Sequence, residues 1–351
     1  MKFVEREFVF DLSIPDDANA RQVIFVDLMQ IHSLVNRISC RQGNLVGIQS
    51  IEIGCQTGGS YAAAIWRLPH SWGVTNAWEK TMRNWLEQQN DTMEEADLQS
   101  TVARYRDFKV FMTDVHRGLG FSFNALPTGY AITDGASLNE AYEWLDSRIV
   151  IPNDADVPGD TQERTLYMVG DDSGFGRSMV KAYAESRSRP QAVDPNIVDV
   201  DTGGLFGEMY DVGMDDSQIV ENTQEDNNEP PYLISNHDAL EYYPGGAFQG
   251  SQASPGISGP GGAVLGSGPE GLQLVDILAV NANQNYNSDT CPGFLAPCGL
   301  LCLQLQGAGL GASVGPTSPP NSDVNAAFWM KITLAPGDYQ GVLAVPMQDV
   351  N

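Results

Sequence analysis

Four histidines, His32, His70, His116 and His237, are the side chains best suited to acid–base or metal chemistry, and they lie far apart in the sequence. His32 falls within an expected helix, where a packed or surface imidazole is the plain account. No His-Glu-x-x-His or Cys-x-x-Cys occurs, which removes the common zinc patterns. No Gly-Lys dipeptide occurs, so there is no phosphate-cradling Walker loop. Gly170-Asp-Asp-Ser-Gly-Phe-Gly176 sets a serine in a glycine-rich turn. It lacks the Gly-x-Ser-x-Gly spacing of a nucleophile turn, and the segment after it reads as strand rather than helix. The expectation is therefore a turn between strands, and no enzyme.

Two acidic loops have the composition of a cation site. Asn153-Asp154-Ala-Asp156-Val-Pro-Gly-Asp160 puts three carboxylates on one turn, and Asp199-Val-Asp201-Thr-Gly-Gly204 puts two. Calcium wants six to eight oxygens, so neither loop suffices alone, and neither follows the calcium-loop spacing. Solvated acidic turns are the simpler account. A calcium or other divalent ion held by Asp154, Asp156 and Asp160 would need a second subunit to complete its shell. No other cofactor is implied.

The basic residues that could meet nucleic acid are Arg37 and Arg41 after the first expected helix, Lys80 and Arg83 on the second, and Arg104, Arg106 and Lys109 ahead of a strand. Trp78 and Trp85 lie near Lys80 and Arg83, an arrangement compatible with phosphate contact and base stacking. The structural alternative pairs these bases with Glu79, Glu87 and Asp107 and uses both indoles as anchors for the helix. No clear basic stripe emerges.

Charge is divided along the chain. The first 189 residues hold 18 of the 19 Lys and Arg against 26 acids, whereas residues 190–330 contain no base and 17 acids. The formal charge of −26 repels nucleic acid and anionic membranes on average. High acid with only five lysines also suits a salt-rich medium, where screening relieves self-repulsion. Five cysteines, Cys40, Cys55, Cys291, Cys298 and Cys302, form no disulfide framework. Free buried thiols are expected, with Cys291 and Cys298 able to close a loop if oxidised. The opening Met1-Lys2-Phe3-Val4-Glu5-Arg6 is not a signal sequence, and no run reaches the ~18 apolar residues of a membrane span. A soluble protein made in a cytoplasm is expected.

The elements that must position these groups are mostly strands. Phe8, Phe10 and Leu12 alternate with Val9 and Asp11. Ile24, Leu28, Ile31, Val35 and Ile38 recur at helical spacing and predict a helix over about 17–42. Val46–Thr57 and Tyr61–Leu68 read as a hairpin turned by Gly58-Gly59. Asn76 and Glu79 read as a capping box for a helix carrying Trp78, Met82 and Trp85, with helical insertion over about 75–104. Further strands are expected at Phe108–Thr113, Trp144–Ile151, Glu163–Val169, Met179–Ala184, Leu272–Val280, Gly299–Gln306, Ala326–Leu334 and Tyr339–Val345, with Ala335–Asp338 as a turn. Residues 190–270, rich in Asp, Asn, Gly and Pro, read as a surface loop excursion. About ten strands against two or three helices predict a mainly β fold, a sandwich with helical insertions and long loops, in one domain over 1–351.

Three stretches resemble capsid proteins of small circular single-stranded DNA viruses, especially those of aquatic origin. They are Trp72-Gly-Val-Thr-Asn-Ala-Trp78-Glu-Lys80 with Trp85, Arg104-Tyr-Arg-Asp-Phe-Lys-Val-Phe-Met112, and Ala335-Pro-Gly-Asp-Tyr-Gln-Gly-Val-Leu-Ala-Val-Pro-Met347, together about a tenth of the chain. The resemblance implies an eight-stranded jelly roll and self-assembly of many copies into an icosahedral shell. It implies an enclosed single-stranded DNA genome, location in the virion after synthesis in a host cell, and no catalytic residues or membrane partner. The chain departs from the family where many members carry an arginine-rich arm, so contact with packaged DNA would be indirect. Two alternatives stay open: a phage major capsid protein with tandem jelly rolls, and a monomeric β-sandwich module that binds carbohydrate in a saline habitat.

Overall fold

The computed structural model describes residues 4–15, 21–55, 60–95, 106–130, 144–152, 161–188, 257–258, 264–265, 271–281, 287–307 and 325–350. In chain order the elements are β1 (Glu7–Pro15), β2 (Arg21–Asp27), α1 (Leu28–Asn36), β3 (Asn44–Cys55), β4 (Ser60–Arg67), α2 (Trp72–Glu95), α3 (Asp114–Leu119), β5 (Arg148–Pro152), β6 (Thr161–Tyr167), β7 (Gly176–Ser178) and α4 (Met179–Ser188). There follow β8 (Ile257–Ser258), β9 (Val264–Leu265), β10 (Gln273–Asn281), β11 (Asn287–Ala296), β12 (Leu300–Gly307), β13 (Asn325–Leu334), β14 (Pro336–Tyr339) and β15 (Ala344–Pro346). The chain clusters into two compact units. One comprises residues 1–68, 122–144 and 250–346, and the other comprises 69–121, 145–249 and 347–351.

The first unit is a sandwich of two antiparallel sheets, ordered β1-β13-β3-β11 and β10-β4-β12-β2, with β15 added to β3. Among these eight main strands the first pairs with the last, the second with the seventh, the third with the sixth and the fourth with the fifth. The pairs β13–β3 and β12–β4 then join the ladders into sheets. This is the nesting of a long hairpin rolled on itself, a jelly roll. The loop of that long hairpin, between β4 and β10, is where the second unit is inserted.

Alternation fixes which faces meet. In β1, Phe8 and Phe10 are buried while Glu7, Val9 and Asp11 face out. Register carries the buried set across the sheet as one row, Phe8 beside Ile332, Ile332 beside Ile51, and Ile51 beside Cys291, none more than 2 % exposed. The facing sheet contributes Ile24, Leu303 and Ile65 in a matching row. Its two central strands are buried on both faces, from Ala62 to Trp66 and from Leu300 to Leu305. They accordingly read as apolar runs, with Gln304 the one polar residue, rather than as alternation.

Several expectations are corrected here. Val46–Thr57 and Tyr61–Leu68 do not form a hairpin, since β3 and β4 belong to different sheets. Their patterns already differ: β3 alternates around half-exposed Glu52, whereas β4 is apolar on both faces. The helix expected over 17–42 is nine residues, Leu28–Asn36, and Arg21–Asp27 is strand. Ile24 and Leu28 share helical spacing only because they straddle a strand–helix junction, which Asp27 creates by capping α1 with its carboxylate. The turn expected at Ala335–Asp338 contains β14, and the reversal falls at Gln340-Gly341, both at positive φ. Strand β11, which contains Pro292, was not among the expected strands. It is an edge strand, where proline is tolerated. The 190–270 excursion lies outside the described residues except for the two-residue pair β8–β9.

In the second unit β5 and β6 are antiparallel and β6 and β7 parallel. Phe108–Thr113 makes one bridge, Phe111 to Tyr167, rather than a strand. Met179–Ala184 belongs to helix α4, not a strand. Helix α2 begins at Trp72, so Asn76 and Glu79 lie inside it rather than capping it. Its continuation to Arg104 lies partly outside the described residues. Trp78 and Trp85 are buried against Phe108, at ring distances of 5.9 and 5.5 Å, as anchors for the helix.

Two substitutions test this packing. Ile51→Ala, at the centre of the buried row, is expected to cost about 2–5 kcal/mol by leaving a cavity. Gly54→Ala is expected to cost about 1–3 kcal/mol, because a Cβ there runs into the indole of Trp329 lying across it. Urea unfolding midpoints at constant m-value measure both.

Candidate functional site

The basic residues singled out above fall in both units. In the sandwich, Arg37 follows α1 in the left-handed conformation, closing the helix through its backbone N–H to Ser33. Arg41 donates its backbone N–H to the Tyr339 hydroxyl. Both side chains are exposed. In the other unit, α2 and α4 pack together, and the Lys80 ammonium donates to the Ser186 hydroxyl at 2.7 Å. Burial lowers the pKa of Lys80. Arg83 is exposed and ion-paired with Glu79 one turn earlier. Arg106 donates to Asn90 and lies 3.8 Å from the Met93 sulfur. Lys109 is buried, 3.4 Å from Asp107. Arg104, Asp154, Asp156 and Asp160 lie outside the described residues, as do Asp199 and Asp201.

The ring of α2 that meets a cation is neither Trp78 nor Trp85. Trp72, 38 % exposed, meets Tyr183 of α4 edge to face at 6.3 Å, and the Arg187 guanidinium lies over the Trp72 ring at 4.6 Å. Sequence spacing could not have found this group, because it joins two helices about a hundred residues apart. Chemically it is a partly exposed stack of rings and cations, able to meet a flat or anionic group.

The glycine-rich turn is a structural device. Ser173 and Gly176 exchange both backbone hydrogen bonds, at 3.1 and 2.8 Å, around Gly174-Phe175. Asp172 then accepts from the Ser178 N–H at 2.7 Å, at the entry to α4. A helix does follow this turn, contrary to the strand expected there. His116 has its Nδ1 engaged by the Met112 N–H at 3.0 Å, and its ring meets the stacked pair Phe111 and Phe121 edge-on. Among the described residues no group of three or more His, Cys, Asp or Glu is placed to hold a metal ion.

Inside the sandwich, Asp27 is fully buried and accepts four hydrogen bonds. Its Oδ1 takes the Met29 and Gln30 N–H groups at 3.0 and 3.1 Å. Its Oδ2 takes Gln42 Nε2 and Trp144 Nε1 at 3.0 and 3.1 Å. Burial outweighs these donors and raises its pKa to about 6. All five cysteines are free and buried, Cys291 and Cys298 included. Burial pushes the Cys40 thiol up to about 11 and Cys291 to about 12, so they behave as inert packing groups.

No protein-family model, curated protein or solved structure matches this chain.

The buried carboxylate gives a pH test with a definite sign. The folded state holds the Asp27 proton more tightly than the unfolded chain, so ionising it costs stability. Relative to Asp27→Asn, the wild type should lose on the order of 2 kcal/mol as pH rises from about 4 to about 6, levelling off about one unit higher. Urea titrations of both proteins across that window measure the difference.

Proposed function

We propose that this chain is a structural coat protein, a jelly-roll subunit that assembles in many copies into a closed icosahedral shell around a single-stranded DNA genome. The observation that carries this reading is the strand nesting, first with last through fourth with fifth, with most of the second unit inserted in the loop of the rolled hairpin. Jelly rolls of this kind are frequent in capsids, although lectins and cupins share the architecture. The three resembling stretches add to it, and so does the strongly zoned charge. Under this reading the protein is no enzyme, resides in the virion and is made in a host cell.

Packaging at −26 per copy requires help. Salt, a divalent cation between subunits, or a separate polycation must relieve the repulsion, so contact with DNA is indirect. A tandem jelly roll is not favoured, because the second unit's sheet among the described residues has three strands, not two layers of four. A carbohydrate-binding module would use exposed rings such as Trp72, but Arg187 lies over that ring.

Light scattering and negative-stain imaging of the purified chain test the proposal, across salt and with or without calcium. Particles of megadalton mass with closed outlines are expected, formed more readily as salt or calcium rises. A monomer under every condition would overturn it.

A further inference from the structure

Helix α1 carries a second buried titratable group, His32, at 0 % exposure. Its Nε2 is 3.2 Å from the carbonyl oxygen of Gln340, which can only accept, so this nitrogen carries the proton. Its Nδ1 then accepts from Asn36 Nδ2 at 3.1 Å. The orientation of Asn36 is fixed independently by the backbone of Glu5, just ahead of β1. The Glu5 N–H donates to Asn36 Oδ1 at 2.8 Å, and Asn36 Nδ2 donates to the Glu5 carbonyl at 2.9 Å. The side-chain amide thus occupies the place of a neighbouring strand at this point of the sheet edge.

A second proton on the imidazole cannot be accommodated in this arrangement. It would sit on Nδ1 and point at the Asn36 amino group, donor against donor. Turning the Asn36 amide would satisfy the imidazolium, but both bonds to Glu5 would then be donor against donor and acceptor against acceptor. We propose that the His32–Asn36 pair is an acid-sensitive clasp, which holds the chain ahead of β1 at neutral pH and releases it when His32 is protonated.

Among the described residues, no charged group is seen acting on His32 to soften the conflict. From β1 the Phe8 ring meets His32 edge-on at 6.3 Å, from the β14–β15 reversal only the Gln340 carbonyl reaches it, and from α1 itself the neighbour is Asn36. Asp27, at the other end of α1, is engaged by its own four donors, and the Cys298 thiol faces that carboxylate rather than His32. Burial lowers the His32 pKa below its ordinary value of 6.5. The sign is therefore that of a depressed group: the clasp is intact above that value and is lost as pH falls through the folded-state value. What it exposes is the N–H and C=O of Glu5, a pairing site on the open edge of β1. Asp27 acts in the opposite sense, gaining stability from acid, and can be separated by mutation. The inference does not depend on whether copies of the chain assemble.

Amide hydrogen exchange of residues 4–8, corrected for intrinsic rates, tests the clasp between pH 7.5 and 4.5, together with NMR titration of the His32 ring. Protection at Glu5 should fall at least about tenfold on acidification, as expected for local opening, with the same midpoint as the ring titration. His32→Gln should remove the step, and Asp27→Asn should keep it. Constant protection across the range in the wild type would overturn the clasp, as would a step that survives His32→Gln or vanishes in Asp27→Asn. Should His32→Gln fail to fold, disagreement between the two wild-type midpoints overturns it on its own.

Discussion

Register in β13 is the constraint on which the sandwich depends. That strand is laddered on both sides, to β1 and to β3, and its inward residues Phe328, Met330 and Ile332 are buried. A slip of one residue would turn all three outward and bring Trp329, Lys331 and Thr333 into the core. Two ladders oppose that slip at once. Because the nested pairing holds β4 against β10 independently, the chain between them can be long. Closing a loop costs entropy only logarithmically in its length, so an insertion of about 200 residues at this point adds little to the cost of a short one.

Open sheet edges are the price of a sandwich that does not close into a barrel, and here each is met by the chain itself. Asn36 pairs with Glu5, and the Thr128 N–H donates to the Val9 carbonyl on β1. The Ala125 N–H donates to Phe25 on β2. On the far side β11 carries Pro292, β10 has a register shift between Leu274 and Asp276, and Asp289 takes the Ala279 N–H of β10. In the other unit Gln88 binds both backbone groups of Val150 on β5, again an amide in the place of a strand. Plugged edges disfavour strand-to-strand addition between copies. Subunits that tile would therefore meet through loops and outer faces.

What the sequence made legible follows the same physics. Strands with one wet face, such as β1 and β13, were readable from alternation, and so the mainly β sandwich was as well. Pairing was not, because β3 and β4 are adjacent in sequence and each is a good strand, yet their partners lie more than two hundred residues away. Helix α4 was hidden by Val180, Tyr183 and alternating alanines, which fit either period. Of the candidate site residues, Lys80 reaches Ser186 and Arg83 reaches Glu79, rather than the rings of Trp78 and Trp85. Trp78 and Trp85 turned inward, and Trp72 met Tyr183 and Arg187 across the α2–α4 contact. Asp27 and His32 drew little notice in the sequence, since a buried network exists only once α1 is docked.

The balance of charge acquires a different meaning once partners are assigned. The first zone has the bases, but many are spent locally. Lys109 is beside Asp107, Arg117 holds Asp114, Arg148 spans Asp146 and Glu163, and Lys181 faces Asp172, while Lys331, outside that zone, pairs with Glu7 within it. Most are exposed pairs, each worth little to stability. Their larger effect is to shorten the range of each cation's field, leaving dipoles rather than a basic surface. At 0.1 M salt the Debye length is about 10 Å, so such dipoles add almost nothing at the distance of an approaching polyanion. The paired bases of the first zone therefore reduce repulsion of a polyanion without producing attraction.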